Sequence, residues 1–398
     1  MLKRIDAIHL KPGMFLHELC GLWIEHPFWR NRFLISDPED IVRIHESPVR
    51  EVWIDTERGL DVDEGKAVEV AKVLPPPPPP PPQKKASMRE EVDRAAKICA
   101  RAHDSVVSMF QEARLGRAVE AGDAMPLVQE ISASVMRNSG ALISLARLKV
   151  ADDYTYMHSV AVCALMIALA RQLNLSEEET QAAGLAGLMH DVGKMRIPPE
   201  ILNKPGKLTD PEFEIIKTHP TEGHKMLTAS QTLGAATLDV CLHHHEKVDG
   251  SGYPGSFPAE KISLFARMGA VCDVYDAVTS NRPYKSGWDP AESLHRMSEW
   301  KGHFDMPIFH AFVRSLGIYP IGSLVRLSSG RIGVVAEQSP KSLLTPKVKI
   351  FFSVKSNARI PPETIDLARP NCPERIVARE DADQWNFPDL NNLWNTPE

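Results

Sequence analysis

A run of eight consecutive prolines, Pro75 to Pro82, divides this 398-residue chain. Such a run adopts the polyproline II conformation, at roughly 3.1 Å per residue, and behaves as a semi-rigid spacer. It predicts a linker over residues 75–86 that separates a small first domain from a larger one. The run could also be a ligand for a proline-binding partner, but nothing else in the sequence implies such a partner.

The composition excludes several classes of protein. Hydrophobic residues make up 43% and charged residues 25% of the chain, as in an ordinary soluble protein. The net charge of -6 offers no basic stripe, so we expect no DNA binding. No apolar segment is long enough to span a bilayer, the N-terminus lacks a signal-like apolar run, and the six cysteines are scattered. Together these features predict a cytoplasmic protein.

Residues 1–74 have the pattern of a small α+β module. Residues 49–56 are typical of a strand, and Ser36 with Glu39 predicts a capping box that opens a short helix ending at Ile44. Nothing in this module has catalytic spacing. We therefore predict a regulatory module through which signalling proteins could bind.

The rest of the chain is predicted to be mainly helical. Residues 87–149 have helical periodicity and predict connecting helices that could also pair two chains in a homodimer. Residues 150–317 predict an all-helical catalytic domain. A β-rich domain follows at 318–375, since short runs of β-forming residues alternate with Gly, Ser and Pro. Residues 376–398 show no period and predict a flexible tail.

Several local signals place the helices of the catalytic domain. The run from Val160 to Ala170 is almost wholly apolar, which is typical of a helix buried on all sides. Helix starts are predicted at Ser176, at Asp210 and at Asp289 from their capping patterns.

Five clusters of chemically active residues fall within this helical region. An adjacent His-Asp pair can give an imidazole to one metal and a carboxylate that bridges to a second. Imidazole with carboxylate suits Fe, Mn, Ni or Zn, and the lack of cysteine argues against a closed structural zinc. Two metals about 3.5–4 Å apart would hold a bridging hydroxide and clamp a phosphodiester for attack. The clusters are His158; His190, Asp191 and Lys194; His219; His243, His244, His245 and Glu246; and Asp273.

Lys194 is the candidate for stabilising the charge that develops in such a reaction. On a helix, His190 and Lys194 would share a face because they are four residues apart, with Asp191 beside the lysine.

Each cluster also has an interpretation without function. A single buried histidine is more often a hydrogen-bonded core residue than a ligand, and His243 to His245 could be a solvated helix end. Asp273 or Asp276 could cap a helix. Joint occurrence favours the metal site, because buried polar groups need partners and several histidines are costly to bury for packing alone.

The segment that follows the three histidines is a loop by composition. Its simplest interpretation is a tight turn fixed by two glycines and a proline. Its functional interpretation is that the glycine backbone and the tyrosine line a substrate pocket, where the ring could stack on a guanine. The residues concerned are Asp249, Gly252, Tyr253 and Pro254.

These motifs resemble the HD-GYP subgroup of the HD phosphohydrolase superfamily over about residues 150–315. The resemblance lies in HDVGK at 190–194, HHEKVDGSGYP at 244–254 and NRPYK at 281–285. Residues 1–130 resemble more loosely the uncharacterised domain that often precedes HD-GYP in bacterial proteins. With the resemblance added to the patterns above, we expect a mainly α protein, with an all-helical HD-type metal-site bundle, a small N-terminal α+β domain and a small C-terminal β-rich region. It also implies hydrolysis of cyclic di-GMP to linear pGpG, and in some members on to GMP.

Site residues follow from this resemblance position by position. Lys194 matches the family's catalytic lysine, and Asp191 would bridge two metals, usually iron or manganese. Arg282 and Lys285 match positions that hold the substrate, together with Asp249, Gly252, Tyr253 and Pro254. The implied metal ligands are His158, His190, Asp191, His219, His244, His245 and Asp273.

One position departs from the family pattern. Members with three metals carry a glutamate one helical turn before the first histidine ligand, and Tyr154 stands there in this chain. A phenol is a poor substitute for a carboxylate, so the sequence favours two metals and pGpG as the main product. His243 has no family role.

Two other functions stay open at this level. The protein could be an HD phosphohydrolase acting on another nucleotide, although the GYP loop argues against it. It could also be a non-catalytic cyclic di-GMP sensor or scaffold, although the intact ligand set argues against that.

Overall fold

The computed structural model describes residues 2–19, 33–46, 49–61, 86–147, 154–230, 232–280, 287–339, 342–385, 387 and 389–395. The chain divides into two compact units, Met1–Pro80 and Pro81–Glu398. Most of the predicted linker lies outside the described residues. The domain boundaries therefore stay predictions.

The first unit is a four-stranded antiparallel sheet with one helix, α1 (Pro38–Glu46). Val52 and Ile54 alternate with less buried neighbours along the central strand and pack with Leu16, Ile35 and Ile44 in one core. This arrangement confirms the small α+β character. Helix α1 ends two residues after Ile44, where its end was predicted. The predicted capping box depends on the side chain of Glu39, which lies outside the described residues. The strands are β1 (Leu2–Asp6), β2 (Phe15–Leu19), β3 (Phe33–Leu34) and β4 (Glu51–Asp55), in the order β1-β4-β2-β3.

The second unit begins with three helices. A capping box between Ser87 and Glu90 starts the first of them. The buried carboxylate of Glu91 then accepts hydrogen bonds from Arg137 Nη2 at 2.6 Å and Ser134 Oγ at 2.8 Å, which joins the first helix to the second. These helices are α2 (Met88–Arg114), α3 (Ala121–Arg137) and α4 (Ser139–Arg147).

Two helices form the centre of the bundle, α5 (Tyr154–Gln172) and α6 (Glu177–Met189). Every residue from Val160 to Ala170 is buried, as predicted, and the predicted capping box of Ser176 and Glu179 starts α6. Gly187 lets the two helices cross closely, because a Cβ there would lie 2.9 Å from the carbonyl oxygen of Val162. This crossing brings the start of α5 to the end of α6.

Seven further helices complete the helical part. The starts predicted at Asp210 and Asp289 are confirmed, and Asp289 accepts hydrogen bonds from the backbone of Ala291 and Glu292. A short 3-10 helix, Val192–Arg196, follows α6. The helices are α7 (Pro199–Leu202), α8 (Asp210–Ile216), α9 (His219–Thr228), α10 (Ala235–His243), α11 (Leu264–Thr279), α12 (Pro290–Glu299) and α13 (Met306–Leu316).

The predicted β-rich region is a five-stranded antiparallel sheet in the order β8-β7-β6-β5-β9. Its core contains Val325, Val335, Val348 and Ile350. The strands are β5 (Leu324–Leu327), β6 (Arg331–Glu337), β7 (Lys347–Ser353), β8 (Ala358–Asp366) and β9 (Ile376–Arg379).

The prediction of a flexible tail at 376–398 is wrong for its described residues. Strand β9 lies in that segment and pairs with β5, and α14 (Ala382–Trp385) and α15 (Leu390–Asn395) follow it. Trp394 is only 4% exposed. A four-residue strand at a sheet edge gains its hydrogen bonds from a distant neighbour, so local periodicity could not reveal it.

The protein is mainly helical, with a small sheet in each of its two units, as predicted. Within the described part of the chain, no helix has both the length and the apolar character needed to cross a membrane.

Candidate metal centre

The seven side chains predicted as metal ligands converge in one cluster. His158 is the fifth residue of α5, His190 directly follows α6, and His219 is the first residue of α9. His244 and His245 follow α10, and Asp273 lies within α11. All are buried except His245, which is partly exposed. Residues separated by more than a hundred positions in the chain therefore share one site.

Asp191 stands at the centre of this cluster with its two oxygens facing different histidines. Its Oδ1 lies 3.2 Å from Nε2 of His219 and 3.8 Å from Nε2 of His244. Its Oδ2 lies 3.4 Å from Nε2 of His158 and 3.3 Å from Nε2 of His190. A carboxylate placed in this way can bridge two cations.

The other ligands divide into two sets on either side of Asp191. The ligand atoms of His219, His244 and His245 lie within 4.8 Å of one another. Those of His158, His190 and Asp273 do the same. Asp273 links the sets, because its Oδ1 is 2.9 Å from Nε2 of His158 and its Oδ2 is 3.8 Å from Nδ1 of His245.

Backbone carbonyls orient three of the histidines. Nδ1 of His190 donates to the carbonyl of Gly187 at 2.8 Å, and Nδ1 of His219 donates to that of Ile216 at 2.7 Å. His244 does the same toward Val240 at 2.9 Å. A carbonyl can only accept, so the proton sits on Nδ1 and the lone pair of Nε2 points into the cluster. This is the tautomer that metal-binding histidines use.

A carboxylate that sequence reasoning did not assign to the site orients His158. Oδ2 of Asp276 lies 2.6 Å from Nδ1 of His158. The alternative that Asp273 or Asp276 caps a helix is wrong, because both lie inside α11. The signal available in the sequence was the spacing of three residues between them, which places both carboxylates on one helical face.

The position of Lys194 differs from the one expected on an α-helix. Helix α6 ends at Met189, and Lys194 lies in the 3-10 helix that follows. With about three residues per turn, this helix aligns residues three apart. The ammonium of Lys194 therefore contacts Oδ2 of Asp191 directly. The prediction that His190 and Lys194 share an α-helical face is wrong, while the placement of Lys194 beside Asp191 is confirmed.

The electrostatics of the cluster favour the neutral form of His244 and His245, the charged form of His190 and the ionised form of Asp191. Burial and neighbouring histidines lower the pKa of His244 well below its usual value, and burial lowers that of His245 to about 3. Burial alone would raise the pKa of Asp191, but the charges of His190 and Lys194 hold it well below its usual range. Burial would lower the pKa of His190, but the carboxylates of Asp191 and Asp273 outweigh it and raise that pKa to about 10.

The residues present fit a divalent metal centre. Nε2 of His190 and Oδ1 of Asp191 are buried without a well-directed hydrogen bond to any described residue. The Nε2 atoms of His219 and His244 lie 3.4 Å apart, although both of their protons are on Nδ1. Buried acceptors that face one another without a donor cost about 1–3 kcal/mol each, and a shared cation would satisfy them. Imidazole with carboxylate suits Fe, Mn, Ni or Zn.

The loop predicted to line the pocket folds back over the histidines. The ring of Tyr253 stacks on that of His245, with 4.6 Å between the centroids. Gly252 permits this path, because a Cβ there would lie 2.4 Å from the backbone nitrogen of Lys247. Asp249 is exposed and accepts a hydrogen bond from the backbone of Ser251 at 2.9 Å, and Pro254 is exposed at the rim. The substrate-binding roles of these residues stay predictions.

Glu246 is a second residue whose role sequence reasoning missed. Its carboxylate is buried and accepts hydrogen bonds from the backbone of Gly255 at 2.6 Å and Phe257 at 3.1 Å. It therefore holds the far side of the loop. A glutamate directly after the paired histidines was the only signal in the sequence.

His243, which had no predicted role, orients a carboxylate of its own helix that contacts the start of α11. Its Nδ1 donates to Oδ1 of Asp239 at 2.8 Å, and the same carboxylate accepts a hydrogen bond from the hydroxyl of Ser263. Ser263 caps the start of α11 by accepting from the backbone of Ala266. The network connects α10, which leads into His244, with α11, which bears Asp273.

Three predicted positions cannot be placed. Arg282 and Lys285 lie outside the described residues, as does the side chain of Tyr154. Their roles stay predictions.

A helical bundle with histidines and carboxylates at the ends of its central helices defines the class of HD-type metal-site domains. A family model described as an HD domain matches residues 136–308, a range that includes α4. A second model, described only as a domain of unknown function (DUF3391), matches residues 2–124.

A full-length relative agrees with these matches. A cyclic di-GMP phosphodiesterase of Pseudomonas aeruginosa is 56% identical over 99% of this chain and 96% of its own length. A 3'3'-cGAMP-specific phosphodiesterase of Vibrio cholerae is 36% identical, over 41% of this chain and 38% of its own length. The structure of Bd1817, an HDG"Y"P protein from Bdellovibrio bacteriovorus, covers 78% of this chain and 98% of that one at 16% identity, with a TM-score of 0.47.

The chain belongs to the HD-GYP family of HD-domain proteins. HD domains bind divalent metals, and the cluster around Asp191 is the group of side chains that could bind them here.

Proposed function

We propose that this protein is a metal-dependent phosphodiesterase that hydrolyses cyclic di-GMP to linear pGpG. The observation that carries the proposal is the position of Asp191, with each carboxylate oxygen facing its own pair of histidines at 3.2–3.8 Å. The name of the full-length relative from Pseudomonas aeruginosa supports the choice of substrate.

We propose two metal ions, most readily Fe or Mn, with Ni or Zn as alternatives. His219, His244 and His245 would hold one, and His158, His190 and Asp273 the other, with Asp191 shared. Divalent ions at this place supply Lewis-acid activation of water and neutralise phosphate charge. We infer no third ion, because Tyr154 offers a phenol where a carboxylate is required. For the same reason pGpG, rather than GMP, is the expected main product.

The chain's own residues would hold and polarise the substrate. The ammonium of Lys194 lies against Asp191 and is partly exposed, so it can donate to a phosphate oxygen as negative charge develops there. The ring of Tyr253, which stacks on His245, is proposed to contact a guanine of the substrate. Glu246 keeps the loop in place through the backbone of Gly255 and Phe257. Arg282 and Lys285 are proposed to bind the substrate, by resemblance alone.

The test uses the full chain, purified without oxygen and loaded with Fe(II) or Mn(II). Cyclic di-GMP should be converted to pGpG, identified by chromatography, and His190→Ala or Asp191→Ala should abolish the conversion. His295→Ala serves as the matched control, because His295 is an exposed histidine on α12 paired with Glu299 at 3.6 Å. Intact cyclic di-GMP after incubation with the metal-loaded protein would refute the proposal.

A different cyclic dinucleotide is the second candidate substrate. The Vibrio cholerae relative, which acts on 3'3'-cGAMP by its name, favours this alternative over the region it shares. A competition panel of cyclic di-GMP, cyclic GMP-AMP and nucleoside phosphates separates the two. Tight binding of cyclic di-GMP with no turnover would instead indicate a sensor. The cytoplasmic location, signalling partners of the first unit and a homodimer stay predictions.

A further inference from the structure

Helix α8 is tied directly to the metal centre. The carbonyl of Ile216, its last residue, accepts the hydrogen bond from Nδ1 of His219 at 2.7 Å. The start of α8 is held as firmly, because Glu212 closes a capping box with Thr209 and accepts from Lys204 Nζ at 2.6–2.7 Å. Side chains at the end of α8 therefore have a defined position relative to the site.

Lys217 follows α8 and lies beside the loop that covers the histidines. Its Nζ is 5.8 Å from the centroid of the Tyr253 ring and 5.0 Å from that of Phe213. Tyr253 in turn stacks on His245. A continuous line of side chains thus runs from the metal centre outward, through His245, Tyr253 and Lys217 to Phe213.

The outer members of this line are accessible to a ligand. The side chain of Lys217 is 31% exposed, and Phe213 is 45% exposed although it is a large apolar residue. Lys217 pairs with Glu214 at 2.7 Å, and the side chain of Glu214 is 67% exposed. Exposed pairs of this kind contribute little, so a phosphate could replace Glu214 at small cost.

The substrate itself requires a cation outside the metal cluster. A cyclic dinucleotide carries two phosphodiesters and two bases, while the metal centre engages the phosphodiester that is cleaved. A chain with net charge -6 must attract the second phosphate through a local positive group. Lys217 provides a positive group beside Tyr253, and Phe213 next to it provides an aromatic face. Stacking of a base on an aromatic side chain is tolerant of base identity.

On the basis of the proposed function, we propose that Lys217 and Phe213 form an outer subsite for the nucleotide that is not cleaved, with Lys217 pairing with its phosphate and Phe213 stacking on its base. The subsite selects cyclic dinucleotides over small phosphodiesters, which reach the metal centre without using it. It therefore acts on specificity and leaves the chemistry to the metal centre.

The test compares two substrates on the metal-loaded full chain, cyclic di-GMP and bis(p-nitrophenyl) phosphate. Lys217→Gln should lower the ratio of kcat/KM for cyclic di-GMP to that for the small diester about tenfold, mainly through KM. A tenfold change corresponds to the loss of about one charge-assisted contact. Lys217→Arg should keep most of the ratio. Phe213→Leu should lower it about fivefold or more.

Lys225→Gln is the matched control. Lys225 lies on α9 and pairs with Glu222 three residues away at 2.7 Å, in the same way that Lys217 pairs with Glu214. For Lys225→Gln, the ratio of kcat/KM for cyclic di-GMP to that for the small diester should stay within about twofold of the wild-type value. This is well below the tenfold change expected for one lost charge-assisted contact.

Two outcomes would overturn the inference, and they differ. If the wild-type chain hydrolyses cyclic di-GMP and both Lys217→Gln and Phe213→Leu keep the wild-type ratio, the subsite is wrong and the proposed function stands. If the wild-type chain hydrolyses only the small diester, the proposed function fails and the subsite fails with it. A parallel loss on both substrates would show that Lys217 acts on the metal centre and would also contradict the subsite.

Discussion

Asp276 Oδ2 lies 2.6 Å from Nδ1 of His158, and Nε2 of the same ring lies 2.9 Å from Asp273. The imidazole is thus held between a carboxylate that orients it and a carboxylate of the cluster. Outer carboxylates of this kind make a histidine a better ligand, and their loss costs about 10–100-fold in metal affinity.

We therefore expect Asp276→Asn to weaken metal binding about 10–100-fold while the fold is retained, measured by metal titration with a competing chelator. Asp104→Asn is the control, since Asp104 makes an exposed pair with His103 at 3.0 Å, away from the cluster ligands in sequence. Unchanged affinity in Asp276→Asn would show that this hydrogen bond does not support the metal.

Gly252→Ala should reduce phosphodiesterase activity at least tenfold and lower the melting temperature by several degrees. The added Cβ would lie 2.4 Å from the nitrogen of Lys247 and 2.6 Å from the carbonyl oxygen of His245, so the loop must move off the histidines. Several degrees corresponds to roughly 1–2 kcal/mol in a protein of this size. Activity assays and calorimetry measure both effects.

Gly122→Ala provides the comparison. Gly122 lies in α3, and a Cβ there meets no atom within 4 Å. The substitution should leave activity unchanged and change the free energy of unfolding by less than about 1 kcal/mol. Equal damage from both substitutions would argue against a specific role for Gly252.

His243→Ala should lower kcat several-fold, because Asp239 loses the hydrogen bond from His243 that orients its carboxylate toward Ser263 at the start of α11. His243→Asn should recover part of the activity, since an amide can donate to the same carboxylate. Metal stoichiometry measured beside kcat separates this positioning role from direct ligation. If His243→Ala retains full kcat, the network does not position the ligands.

Ser176→Ala should lower the free energy of unfolding by about 1 kcal/mol and leave kcat unchanged. The hydroxyl of Ser176 accepts from the backbone of Glu179 at 3.1 Å, so its removal leaves an amide at the start of α6 without that partner. Urea denaturation followed by circular dichroism measures the change. A loss of activity without a loss of stability would contradict a purely capping role.

Local patterns in the sequence determined much of the secondary structure. The capping boxes, the buried run from Val160 to Ala170 and the strand over residues 49–56 depend on neighbours a few positions away, which a sequence displays directly. The set of candidate ligands was also readable, because metal chemistry restricts it to a few residue types and the family motifs mark their positions.

Tertiary structure decided the features that depend on distant partners. Asp276 contacts a histidine 118 positions away in the chain. Strand β9 takes its hydrogen bonds from β5, its neighbour in the sheet but not in the sequence. The two oxygens of Asp191 face different histidines because α5, α9 and α10 meet around it. The 3-10 helix after His190 places Lys194 against the same carboxylate. Sequence periodicity reports which face of an element is buried, whereas the atom that a side chain touches depends on elements packed against it from elsewhere in the chain.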